Sequence, residues 1–197
     1  ILAAGPPAPP SLWHLPIRPG GERADLLLMV NWDDASRQLE TPVERLGLDP
    51  AAPRIVFDAT GGVLLDGGGA TITADVRPHA SRLLVIRPAP GRPQVLATTR
   101  HLLPGTVDLE GVTWDAATRT LQGISRRLIP ETARIPGVDD PAYAITVHAP
   151  PGWTLVRAAA SQPCLAVRAA PELVRIEFPE LTTETVEWTL TFTATAQ

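Results

Sequence analysis

The chain has 197 residues, enough for one large all-β domain or two small ones. With 44% hydrophobic and 19% charged residues it can bury a core, and a net charge of -4 argues against a nucleic-acid partner. All 17 basic residues are arginine, so lysine-based covalent catalysis and a phosphate-loop lysine are excluded. Cys164 is the only cysteine, which rules out an internal disulfide and a cysteine-rich zinc site. No run approaches the roughly 18 apolar residues of a membrane span, so no membrane partner is expected. The amino end, from Ile1 to Pro7, lacks the pattern of a signal peptide and reads as a cut piece of a longer chain.

Taken in chain order, the elements read as strands. Leu12–Ile17 is a short candidate in a proline-rich lead-in. Residues 24–32 are apolar on both faces, which suggests a central strand covered on both sides. Pro42 to Leu48 is the only helix-like stretch, closed by Pro50 and Pro53. Arg54–Asp58 follows as a strand. Asp66-Gly67-Gly68-Gly69 reads as a hairpin tip. In 71–76, Ile72, Ala74 and Val76 alternate with polar partners, giving one dry face and one wet face.

Further candidates are 82–87, 94–99, 107–114 and 120–124, with Asp115 to Thr118 as a hairpin loop between the last two. Tyr143, Ile145 and Val147 alternate, as do Val174, Ile176 and Phe178. The clearest strand places Val186, Trp188, Leu190 and Phe192 on one face and Thr on the other. Residues 153–158 and 164–167 are further strand candidates. Pro104-Gly105, Pro136-Gly137 and Pro151-Gly152 read as turns. Three prolines and a glycine between Pro88 and Pro93 suggest a stiff connection. The expected organisation is all-β: a lead-in over 1–22 from a preceding domain, then two consecutive antiparallel β-sandwich domains over 23–90 and 91–197.

Little of the chemistry stands out. His14, His79, His101 and His148 are far apart and lack metal-ligand spacing, so they read as unrelated surface or capping residues, and no metal or cofactor is expected. Asp33 and Asp34 are adjacent acids at a strand end. They point in opposite directions and do not flank one bond as a glycosidase pair must. Asp58 reads as an Asp that hydrogen-bonds its own turn. Cys164, in an apolar setting, reads as a buried, inert thiol.

The five tryptophans are possible sugar platforms, because sugars stack on exposed indoles. Trp188 and Trp32 are in phase with apolar neighbours and read as core. Trp153, after Pro151-Gly152, Trp114 at a strand end and Trp13 in the lead-in are the carbohydrate-binding candidates. Each could equally anchor packing.

Three segments together resemble the non-catalytic carboxyl end of bacterial α-galactosidase-like (melibiase-type) glycoside hydrolases. One runs from Leu12-Trp13-His14-Leu15-Pro16-Ile17 to the Leu26–Asp34 stretch with its Asn-Trp-acidic turn. The second combines Leu46-Gly47-Leu48, Ile55-Val56-Phe57-Asp58 and Pro78-His79 leading to Leu84. The third is Pro93 to Leu102 with residues 109–123 behind it. In that family the catalytic aspartates lie on a TIM barrel, which this chain lacks, so the resemblance implies no catalytic residue here. It implies a structural accessory module without enzyme activity, partnered by the catalytic TIM barrel of the parent chain. A carbohydrate-binding module or a protein-interaction sandwich is the alternative.

Overall fold

Period-two patterning needs a partner sheet for each dry face, and the strands find one. The computed structural model describes residues 9–19, 22–99, 107–126, 143–179 and 183–194. It shows an all-β chain of two antiparallel β-sandwiches. One unit comprises residues up to 17 together with 24–88, and the other comprises 18–23 together with the residues from 89 onward.

In the first unit, β1 (Leu12–Ile17), β2 (Ala24–Asn31), β7 (Ala80–Pro88), β4 (Arg54–Asp58) and β5 (Val63–Leu65) form a five-stranded sheet in that order. Residues 12–17, read from the sequence as part of a lead-in, thus pair along their whole length with β2. β3 (Arg37–Pro42) and β6 (Thr71–Val76) make a two-stranded sheet whose Ile72, Ala74 and Val76 pack on Leu27, Met29, Val56, Leu84 and Ile86. The opposite face of the larger sheet is apolar too. The register puts Trp13, Leu28 and Leu83 on it in one row and Leu26, Val85 and Phe57 in another. Both faces of β2 are therefore apolar, as its unbroken hydrophobic run requires.

The expected helix at 42–48 shrinks to a 3-10 turn over Val43–Leu46, whose Val43 and Leu46 are buried. Four residues suffice to plug the sandwich end, and the prolines that follow prevent extension. The Asp66–Gly69 segment is not a hairpin tip. It joins β5 to β6, which belong to different sheets. Arg54 holds it in place: its guanidinium donates to Gly69 O at 2.6 Å and to the carbonyls of Asp49, Pro50 and Ala52 at 2.8, 2.9 and 3.1 Å.

The second unit is a four-on-four sandwich. β12 (Trp153–Ala160), β15 (Thr185–Ala194), β10 (Thr120–Arg126) and β9 (Leu109–Asp115) form one sheet. β13 (Leu165–Ala170), β14 (Leu173–Phe178), β11 (Tyr143–His148) and β8 (Gln94–Thr98) form the other. The core between them includes Tyr143, Ile145, Val147, Ile176 and Phe178 from one sheet and Leu121, Val186, Trp188, Leu190 and Phe192 from the other. Trp188 is 2% exposed, as its phase predicted. Its indole lies against Gly123, where a Cβ would come within 2.6 Å of the ring, so only glycine fits opposite it. The turns expected at Pro104-Gly105 and Pro136-Gly137 lie outside the described residues.

Candidate functional site

The described histidines each face an acid from another strand or loop. His14 Nε2 lies 2.7 Å from Asp25, His79 Nε2 lies 2.8 Å from Asp34, and His148 Nε2 lies 3.2 Å from Glu172. His101 lies outside the described residues. Asp33 binds Arg37 at 2.7 Å, so the two adjacent acids take separate partners. Asp58 is buried and accepts from the backbone N–H groups of Thr60 and Gly61 at 2.9 and 3.0 Å, with Arg82 on its other oxygen. A side chain at Gly61 would collide with this pair, since a Cβ would stand 2.7 Å from Asp58 Oδ2.

Asn31 closes β2. Its amide donates to the carbonyls of Ala35, Val76 and Arg77 at 2.8, 3.0 and 3.1 Å. That turn corrects the reading of Trp32 as core. The strand ends at Asn31, the phase stops with it, and Trp32 is 47% exposed with its indole N–H donating to Pro10 O at 3.0 Å. Cys164 also differs from expectation. It is only partly buried against the core, and burial raises its thiol pKa.

The second unit buries polar atoms differently. Asp108 is fully buried, with Thr98 donating to its Oδ2. The Tyr143 hydroxyl lies 3.4 Å from the same oxygen and 3.0 Å from Ser125 Oγ, which also accepts from the Trp188 indole at 3.0 Å. These contacts tie both sheets together through buried side chains, carried by strand-end residues such as Thr98 and Tyr143.

The three tryptophans singled out as sugar platforms occupy different settings. Trp114 and Trp153 meet edge to face, with centroids 5.3 Å apart at 84°, and Trp114 also leans on Phe192. The Trp153 indole donates to Gly91 O at 3.0 Å. Both rings are partly buried against the core rim. Trp13 is 41% exposed on the outer face of edge strand β1, in line with Leu15, which is 51% exposed.

A cleft of about 290 Å³ opens in the second unit between β12 and β13, the terminal strands of the two sheets. The register explains it. Inward positions on the central strands carry Val174, Ile176, Leu190 and Phe192, whereas the facing positions on the terminal strands include Ala158, Ala160 and Ala166. Small side chains leave the side of the sandwich unfilled. Trp153 and Leu155 wall one flank, and Val174 and Ala149 lie among the lining residues. Arg168 shares the inward face with Val174, and Nη2 donates to Pro171 O at 2.9 Å. Arg157, opposite Thr191 on the outer side of β12, also lines the cleft. The described lining residues include two arginines and no carboxylate.

Sequence reasoning found Trp153 but missed Arg157, Arg168 and the alanines. The signal was the loss of alternation in residues 157–160 and 165–170, where runs of alanine replace the bulky inward residue. Comparison of the chain with protein-family models, with curated proteins and with solved structures found no match.

Proposed function

We propose that this chain is a non-catalytic β-sandwich accessory region of a larger protein. The observation that supports this is the pairwise use of its ionisable side chains. Asp58, Asp33, Asp34, Asp25 and Glu172 each hold a turn or face a cationic or imidazole side chain, at separate places in the fold. Carboxylates used in this way fix loops and do not converge on a bond. The resemblance to the carboxyl end of α-galactosidase-like glycoside hydrolases makes a catalytic barrel in the same longer protein the expected partner. Incubation of the chain with chromogenic α- and β-galactosides tests the reading. The expected rate equals the blank, and turnover clearly above it overturns the proposal.

Carbohydrate binding is the second reading, and one observation favours it. The exposed Trp13 and Leu15 form an apolar strip on the outer face of β1. Saturable quenching of tryptophan fluorescence by galacto-oligosaccharides, lost in Trp13→Ala, would establish it. Titration without saturation would remove it.

A further inference from the structure

We infer that the β12–β13 cleft is a docking site for an extended acidic peptide segment, which adds to β13 as an antiparallel strand. This inference goes beyond the accessory role and holds whichever larger protein contains the chain.

Three features of the site lead there. First, among the described residues β13 pairs with β14 alone and β12 with β15 alone, so each presents to them an unpaired backbone edge on the open side of the sandwich. Unpaired edges are templates for strand addition. Second, residues Leu165 to Ala169 of β13 are all exposed, and most of them are apolar. Leu165 is 56% exposed and Val156 on β12 is 59% exposed. Third, the cleft is cationic. Arg157 and Arg168 line it, while the neighbouring acids Glu172 and Glu177 already face His148 and Arg175.

The charge selects the occupant. A second copy of the chain adding edge to edge would bring one β13 arginine alongside another, which like-charge repulsion disfavours. An acidic strand meets the opposite situation. Charged edges that reject their own kind accept a complementary one.

The register sets the sequence that fits. An antiparallel addition pairs successive residues of the segment with Arg168, Val167, Ala166 and Leu165. The residue opposite Arg168 points inward and is Glu or Asp. The residue opposite Ala166 also points inward and is a bulky apolar side chain, which fills the cleft that alanine leaves open. The residues opposite Val167 and Leu165 lie on the outer face and are apolar. The irregularity between Arg168 and Ala170 ends the straight edge, so recognition covers about four residues.

The probe is acetyl-Thr-Glu-Val-Leu-Val-Thr-amide, titrated into the isotope-labelled chain and followed by amide chemical shifts. The expected result is saturable shifts concentrated in 153–158 and 165–170, weakened by added salt. The same peptide with Lys in place of Glu binds at least tenfold more weakly, and Arg168→Gln weakens the Glu peptide at least tenfold. Because the Arg168 side chain is exposed, this variant keeps the fold, which its unperturbed spectrum elsewhere verifies. Ala166→Leu, which fills the cleft from within, also weakens the Glu peptide. Equal affinity for the two peptides, an unchanged affinity in Arg168→Gln, or shifts elsewhere overturns the proposal. So does binding of tri-galacturonate without binding of the peptide, or dimerisation of the chain through β13.

Discussion

The two sandwiches solve the same problem with different materials. The main core of the first is aliphatic, built on Leu27, Met29, Val56, Ile72, Leu84 and Ile86. Its polar groups lie outside that cluster, where Asp58 meets Arg82, His14 meets Asp25, and Asn31 ties three carbonyls. The second sandwich puts aromatic side chains in the middle and gives them polar partners there, with Trp188 and Tyr143 sharing Ser125 Oγ. An aliphatic core is indifferent to small rotations of its side chains. An indole and a phenol that must reach one hydroxyl are not, so the second core specifies its own geometry more tightly.

Substitutions can break this contrast. The largest effect belongs to Trp188→Ala, which empties the centre of the second core and costs about 3–5 kcal/mol in chemical denaturation. A loss near that of an ordinary surface change would mean that the aromatic core is not where its stability lies. Asp58→Ala comes next. It frees two backbone N–H groups and takes the carboxylate from Arg82, which keeps its bond to Asp75 O and is one-third exposed, so the cost is about 2–3 kcal/mol. An Asp58→Ala variant with unaltered midpoint would show that the first sandwich does not depend on its pinned ends.

Ser125→Ala removes the acceptor of the Trp188 indole N–H and leaves the Tyr143 hydroxyl to its longer contact with Asp108, for about 1–2 kcal/mol. Its coupling to Trp188→Phe in a double-mutant cycle measures how far the core acts as one network. The smallest effect is a pH slope. Burial lowers the pKa of His148, and Glu172 opposes that shift. The unfolded chain therefore takes up a proton first as the pH falls. Stability contributed by this residue is present above about 6.5 and declines as the pH drops through that value toward the lower folded pKa. Denaturation at pH 7.5 and 5.5 should show a shallower difference in His148→Gln than in the parent, and identical differences would exclude a role for this imidazole.

Every observed strand except β3 and β5 was legible in the sequence, most clearly those whose large apolar residues alternate: 71–76, 143–148, 173–178 and 185–194. The hairpin at 115–118 was legible too, because Asp115 accepts from the backbone of Ala117 and Thr118 as its position suggested. β3 and β5 escaped notice. β3 carries Leu39 as its only large apolar residue, and β5 is three residues long, so neither repeats a period. Trp32 was misread because phase was extended past a strand end that only the three carbonyl contacts of Asn31 define. The cleft was illegible for a related reason. It arises from what alanines on two strands of different sheets fail to fill, and a linear pattern records residues rather than the space between them.

Arg54 carries one further consequence. Its guanidinium grips the 49–52 turn with one nitrogen and the glycine-rich connection with the other. Those two surface segments are thereby latched to a common peg, and neither can loosen without the other. Lysine would keep the charge yet present a single point instead of a fork. Such an exchange would turn two coupled loops into two independent ones, exposing both to proteolytic nicking while leaving the sheet beneath them intact.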